Sequence, residues 1–464
     1  MEDKVKVSDL GKYGYEQSLN RVLKLKSLVF YGFAYMMPLT IFTSYGIVQQ
    51  ATHGMLALAY VICTIAMTFT GISYMRMVKV YPMAGSVYSY AQRSINPHIG
   101  FLGGWAILMD YLLMPIMCYV CAAIYLQTLF PSLPTAVIVV VLIIAMSVVS
   151  FVGIQMTSIV NNILVILQCI FVVAFLMFIF NWLSDGNGAG TFVDVRAFFN
   201  SEEFSKSDMG WGALFTGASV LAVSFLGFDA VTTVAEETIE PEKNIGRAIL
   251  IICVGAGIVF VFESYMYQLA WPEGWKNFQE VDSAAFELVA RVAGDTMSYI
   301  FSAAYVVGCV GTALAAQTSA TRILFGMGRD GVLPKKIFAH VNKRFQTPTY
   351  NIIMIAVISL PAMFVSLDFI ISIINFGALV GFVLVNLSVI GCYYVKRKYR
   401  KGVGNKIKYL IVPLIGAVIC GMVWMSLDSS SKILGFIWLA IGAVYLAITT
   451  DFFRKLPPDL KMEE

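Results

Sequence analysis

Asp110, Asp229 and Glu263 are acidic residues set inside long apolar stretches, with no basic side chain at comparable depth to neutralise them. Centring an ionised Asp in a bilayer costs about 2.5–3.5 kcal/mol, so such a group normally faces the interior of a helix bundle and has a role there. The chemistry open to an unmatched buried carboxylate is to hold something positive: a cationic substrate, a coupling cation or a bound proton. The plainer alternative is a carboxyl that only ties two helices together. Glu263 falls nearer the end of its stretch, where lining a wet vestibule is the simpler reading. Tyr35, Tyr111, Phe225 and Phe228, close in sequence to these acids or to the breaks described below, are of the type that encloses an ammonium group or an alkyl chain. Ordinary packing accounts for any one of them alone.

The residue types that usually carry catalysis are not gathered. His53, His98 and His340 fall in loops or at the ends of apolar stretches, leaving no buried Cys–His or Ser–His arrangement. All eight cysteines lie within apolar runs, which argues against a disulfide framework. Cys118 and Cys121 share a helix face, but no histidine is near enough to build a metal site with them. The run GMGRDG at 326–331 lacks the GKS or GKT ending of a nucleotide-binding loop. Neither an enzyme, a cofactor, a metal nor ATP-driven transport is expected.

The elements that must position the three acids follow from composition. With 59% hydrophobic and 13% charged residues, the chain carries too little polar surface to be covered by water. Its expected fold is an all-α membrane protein with the lipid bilayer as solvent, since helices satisfy every backbone polar group internally. Apolar stretches of about 20 residues or more fall near 27–49, 54–76, 99–129, 134–152, 155–183 and 210–235, then near 246–271, 294–320, 347–366, 368–395, 408–427 and 432–452. If residues 1–26 form a cytoplasmic tail, 27 of the 32 Lys and Arg residues lie inside and five outside, which places both termini in the cytoplasm. The basic blocks therefore read as topology anchors, and no nucleic-acid partner is implied. The longer outer loops, 184–209 and 272–293, carry an excess of acids that includes Asp208 and Asp282, an arrangement that weakly concentrates cations. No removable signal peptide is read in the first 26 residues.

Two spans are interrupted. In the first, Pro38 removes a backbone donor and pushes Met37 out of helical geometry. In the sixth, FLGFDAVTT places Gly227 and Asp229 inside an apolar run, and glycine permits unusual backbone angles. Each break alone is compatible with a simple kink. Five helices apart and in corresponding positions, the pair fits an inverted five-plus-five repeat with a substrate site between the broken segments, the repeats covering about 27–183 and 210–395 and two peripheral helices following within 396–464. Tyr35, Met36 and Met37 at the first break, and Phe225, Gly227, Phe228 and Asp229 at the second, would line that site together with Asp110, Tyr111 and Glu263.

Three segments carry a resemblance to a known family: YPMAGSVYSYAQR (81–93), SFLGFDAVTTVAEETIEPEKNIGRAI (224–249) and TSATRILFGMGRDGVLPKKIFAHVNKRFQTP (318–348). They resemble the amino acid–polyamine–organocation permeases. Within that superfamily, GFAYMMPLTIF (32–42), WAILMDYLLMP (105–115) and INFGALVGFVLVNLSVI (374–390) look like the putrescine-importer branch. The resemblance implies the leucine-transporter-like fold, uptake coupled to an ion gradient, and a multi-pass location in a bacterial cytoplasmic membrane. Amino-acid-transporting relatives usually place a Gly-Ser-Gly-like run at the first break, whose free N–H groups hold a carboxylate; Met36, Met37 and Pro38 stand there in this chain. Some relatives carry a coupling Lys in span 5, where this sequence has Asn161, Asn162 and Gln168. The same resemblance places Thr318 and Ser319 where related folds hold sodium, while hydroxyls that bond back to their own helix are an equal alternative.

The reading that follows is an importer of putrescine or a related polyamine, with Asp110 and Asp229 recognising the cation or taking part in coupling and a proton slightly favoured over sodium. An amino-acid permease on the same scaffold is the nearest rival. A non-transporting nutrient sensor is a more distant one, disfavoured by short tails and no attached signalling domain. A channel is disfavoured because no ring of charges or carbonyl filter is evident.

Overall fold

Backbone groups in hydrocarbon have no water to bond, so the apolar runs fold as helices and the chain departs from helix only where other protein groups take over the bonding. The structure, a computed structural model, describes residues 20–454 apart from 84, 131, 207–208, 282–283, 343, 366 and 453, and apart from the side chains at 128–129, 367–369 and 371–372. Most of the amino-terminal tail, Asp208, Asp282 and residues 455–464 lie outside the described residues. Ten described helices are long and apolar enough to cross a membrane. A helix pair bent by 50° adds one crossing, and the shorter apolar segment Thr349–Met363 occupies the remaining position of the twelve that the sequence predicts.

In chain order, span 1 is the pair Leu25–Met36 and Ile41–Ala51, span 2 is Leu56–Val80, span 3 Pro97–Leu129, span 4 Thr135–Val152 and span 5 Ile154–Ser184. Span 6 begins at Trp211–Leu221; span 7 is Pro241–Ala270, span 8 Ala284–Arg329, span 9 begins at Thr349–Ile358, span 10 is Leu367–Val389, span 11 Val412–Met425 and span 12 Ser429–Thr449. Local chemistry explains several of these ends. Asn96 caps span 3 by accepting from the His98 N–H, with Pro97 following, where its missing donor costs nothing. Asp428 caps span 12 through the Ser431 N–H at 3.0 Å. Spans 4 and 5 are separated by Gly153 alone, whose φ of 124° a side chain rarely adopts.

Burial is unequal across the bundle. The apolar windows of spans 3 and 6 are 89% and 83% buried, whereas that of span 12 is 17% buried, so the acids on spans 3 and 6 sit at the centre and the last span faces outward. Span 2 packs along span 7, and span 3 lies between spans 8 and 10. Span 11 rests on spans 10 and 2, and span 12 on spans 10 and 3. The last contact is held by two indoles: Trp105 and Trp438 stack at 4.8 Å, and each donates its N–H to the other's carbonyl, at 2.9 and 2.7 Å.

Candidate functional site

Both expected breaks are present. Span 1 leaves helical geometry at Met37, which takes a φ of 55°, and resumes at Ile41. The Met37 N–H still reaches the Phe33 carbonyl at 3.0 Å, Pro38 has no N–H, and Thr40 closes a turn onto the Met37 carbonyl at 2.8 Å. Span 6 gives way after Leu221 to a 3-10 turn, Ala222–Phe225, then to extended backbone at Leu226 and a φ of 117° at Gly227. A second 3-10 turn, Ala230–Thr232, follows. Gly227 is there for more than its backbone angle. A Cβ at that position would lie 2.5 Å from the Tyr35 side chain, so the glycine lets span 1 press its tyrosine against the gap in span 6.

That approach joins the two breaks to span 3. Tyr35 donates its hydroxyl to Asp110 Oδ1 at 2.9 Å, and Tyr111, the residue after Asp110, donates to Asp229 Oδ2. The Tyr35 and Tyr111 rings meet edge to face at 5.9 Å. Tyr74 of span 2 approaches the same Asp229 oxygen at 3.5 Å. Both aspartates are fully buried, and each feels the other's charge. Among the described residues, Oδ2 of Asp110 and Oδ1 of Asp229 have no side-chain partner, while the backbone N–H groups of Gly227 and Asp229 act on the Asp229 carboxyl. Among the described residues, no Lys, Arg or His pairs with either. Two carboxyls held by neutral donors and unmatched by protein cations are suited to receive a positive ligand or a proton.

On the span 1 side, sharing Tyr35 with this network but lined by neither aspartate, lies a small cavity of about 20 Å³, little more than one water occupies, bordered by Met36, Met37, Met114, Met117 and Cys118 and also by Tyr305. Cys121 and Cys309 border it too. The thiols and thioethers give the cavity a soft apolar wall suited to an alkyl chain. Among the described residues, no group of His, Cys, Asp and Glu is arranged to hold a metal ion.

Other candidates fall elsewhere. Phe225 turns from the aspartates toward Tyr60 and Phe260, at 6.5 and 5.6 Å, and Phe228 packs between Tyr74 and Phe382, at 5.7 and 5.1 Å. Neither lines the small cavity. Glu263 does not line a wet vestibule: it is fully buried, with Tyr267 at 3.5 Å from Oε2 and no partner at Oε1. Sequence depth misplaced it because distance from a helix end says nothing of which way the side chain faces. The Thr318 hydroxyl bonds back to the Leu314 carbonyl at 2.8 Å, and Ser319 pairs with Tyr31 at 2.8 Å.

The sequence reading missed the seal at the opposite end of spans 6 and 8. Arg322, fully buried, grips Glu237 through two bonds of 2.9 and 2.7 Å, and Arg329 reaches Glu236 at 2.7 Å. Above them the chain leading into span 1 forms a short β-bridge, Leu23 with Thr238, with the Ile239 N–H on the Leu23 carbonyl at 2.9 Å. Tyr88 adds a bond to Asp330 at 2.9 Å. Arg322 lies just beyond the predicted end of span 8 and was counted with the inner loop. Its signal was that both partners sit in the two longest motifs quoted for the family resemblance.

A polytopic helical bundle with two broken spans meeting at unmatched central carboxyls defines a membrane transporter. The amino acid permease family profile matches residues 28–450, and the chain belongs to that family. It is 38% identical to the low-affinity putrescine importer PlaP of Escherichia coli (strain K12), over 95% of this chain and 96% of that protein. It is 26% identical to the branched-chain amino acid permease BcaP of Bacillus subtilis (strain 168), over 95% of each chain. A methylthioribose transporter of the same Bacillus strain is 23% identical over 92% of this chain and 93% of that protein.

Proposed function

We propose that this permease imports putrescine or a closely related polyamine by alternating access, driven by an ion gradient, with the proton favoured over sodium. The observation that carries this reading is the Asp110 and Asp229 pair, buried, joined to the breaks through Tyr35 and Tyr111, and met by no cation among the described residues. An ammonium group supplies what those carboxyls lack, and the soft wall of Met37, Met114 and Met117 suits the methylene chain between two such groups. The putrescine importer among the relatives supports the same substrate class.

The first break argues against an amino acid. A substrate carboxylate needs free backbone donors, and here the Met37 N–H is engaged with Phe33 while Pro38 has none. The Thr318 hydroxyl donates to the Leu314 carbonyl and Ser319 pairs with Tyr31, bonds that leave hydroxyl lone pairs available, so sodium remains the alternative coupling ion. At about 20 Å³ the cavity is too small for a diamine, so this is a closed conformation and the breaks must part to admit substrate. In this reading the segments 27–183 and 210–395 are the inverted repeats that move against each other, residues 396–464 stay peripheral, and both termini face the cytoplasm of a bacterial cell.

The test is uptake of labelled putrescine into proteoliposomes under an imposed pH gradient and, separately, a sodium gradient. Accumulation under the pH gradient that unlabelled putrescine competes away and leucine does not is the expected result. Leucine accumulation without putrescine uptake would establish the amino-acid permease in its place.

A further inference from the structure

Glu263 is a buried acid that the central site does not use. It lies on span 7 with no exposed surface, one oxygen without a partner and the other 3.5 Å from the Tyr267 hydroxyl. The titratable groups around it are Tyr267 on its own helix, Tyr60 on span 2 and Cys169 on span 5, with Tyr45 of span 1 next to Tyr267. None is a cation. Burying an ionised carboxyl without a cation among the described residues is costly, and a bound proton removes most of that cost.

Its position links outside to centre. Glu263 lies two turns from Ala270, the end of span 7 that the charge distribution places outside. Toward that end, Gln268 borders an open pocket of about 300 Å³ and accepts from Gln49 at 2.8 Å; Gln49 adjoins Tyr45, whose ring lies 6.3 Å from that of Tyr267. Toward the centre, Tyr60 pairs with Ser224 at 3.1 Å, and Ser224 belongs to the 3-10 turn that opens the break in span 6. Ser44 of span 1 also adjoins Tyr60. The acid therefore sits where both broken spans meet the helix pair 2 and 7, with the polar side chains of Tyr267, Tyr45, Gln49 and Gln268 spaced toward the outer pocket and Tyr60, bonded to Ser224, on the side of the break.

We propose that Glu263 is the site that carries the coupling proton, separate from the aspartates that hold the amine. A hydronium ion arriving through the outer pocket gives its proton to the carboxylate, returning water. The neutral acid then closes over without the cost of burying a charge, and the proton passes to water on the inner side once the segment around Ser224 has moved. The inference rests on the importer reading above and adds a residue to it.

The experiment uses the full chain in proteoliposomes, with labelled putrescine and a lumenal pH dye. An imposed gradient of about one pH unit is worth about tenfold accumulation for one proton per substrate. In Glu263→Gln the ratio of gradient-driven accumulation to putrescine counterflow falls by that factor, and putrescine no longer acidifies the lumen. Wild-type coupling with an unaltered ratio and unaltered acidification in the variant overturns the inference, as does coupling of the wild type to sodium alone. Absence of putrescine counterflow in the wild type overturns the importer reading instead. Should Glu263→Gln not fold, Glu263→Asp decides: a displaced pH profile of accumulation supports the role, and the wild-type profile contradicts it.

Discussion

Glu236 and Glu237 are as buried as Asp110 and Asp229, yet the two pairs of acids are treated in opposite ways. Each glutamate has an arginine, Arg329 or Arg322, within 2.7 Å. Among the described residues, the aspartates meet only neutral donors, tyrosine hydroxyls foremost, and no cation. Matched charges fix a geometry, because removing either partner strands the other in a dry interior. Unmatched charges create a demand that something outside the chain must meet. The contrast separates a part of the bundle whose charges are matched within the chain from a part that, on the proposed reading, receives its partner from outside.

The largest expected effect comes from breaking the matched pair. Arg322→Gln strands Glu237 and should cost about 3–5 kcal/mol, seen as a large fall in the melting temperature of the detergent-solubilised protein. Replacing both partners, Arg322→Met with Glu237→Leu, should recover most of that stability while removing the ion pair between spans 6 and 8. Next in size is Gly227→Ala. Its Cβ would meet Tyr35 at 2.5 Å from a backbone angle that alanine resists, a strain of about 1–3 kcal/mol that should also abolish uptake by forcing the two breaks apart. Tyr111→Phe takes the hydroxyl from Asp229 and should cost about 1–3 kcal/mol, with the melting temperature falling less than in Arg322→Gln.

The smallest effect lies at an ion pair outside the bundle, which tests whether matching matters when water is near. Glu203 in the loop before span 6 accepts from Lys206 at 2.6 Å and meets His53 at 2.9 Å, and these contacts, the Lys206 bond above all, hold its carboxyl below the ordinary value of 4.5. A carboxyl with a lowered folded-state pKa contributes its stability above pH 4.5 and loses it as pH falls through the lowered value. His53 stacks on Trp275 at 4.3 Å, so tryptophan fluorescence should change over that acidic range in the wild type and not in Glu203→Gln. The global melting temperature at neutral pH should barely move.

Where these features could be read in the sequence depended on whether a single residue type decides the outcome. Pro38 cannot continue a helix, and Gly227 within an apolar run is tolerated only for a reason, so both breaks were legible. Asp110 and Asp229 stood out because charge in hydrocarbon is costly. Tyr74 did not, since nothing in the evenly apolar span 2 marks which face meets Asp229. The direction of Phe225 was not legible either, since only the 3-10 turn shows that it packs toward span 7. Arg322 was lost because hydropathy ends a span at its first charge, whereas a paired charge continues into the bundle.

The most direct measurement of the central claim compares putrescine binding and thermal stability in Asp229→Asn against wild type, with labelled putrescine on the purified protein. A carboxylate kept for a ligand should lose affinity by at least about tenfold on neutralisation, a change of about 1.4 kcal/mol or more. The melting temperature of the ligand-free variant should meanwhile hold, since Asn fills the same space and strands no charged partner. Unchanged affinity, with a collapse in stability like that of Arg322→Gln, would contradict the account and make Asp229 a structural acid like Glu237.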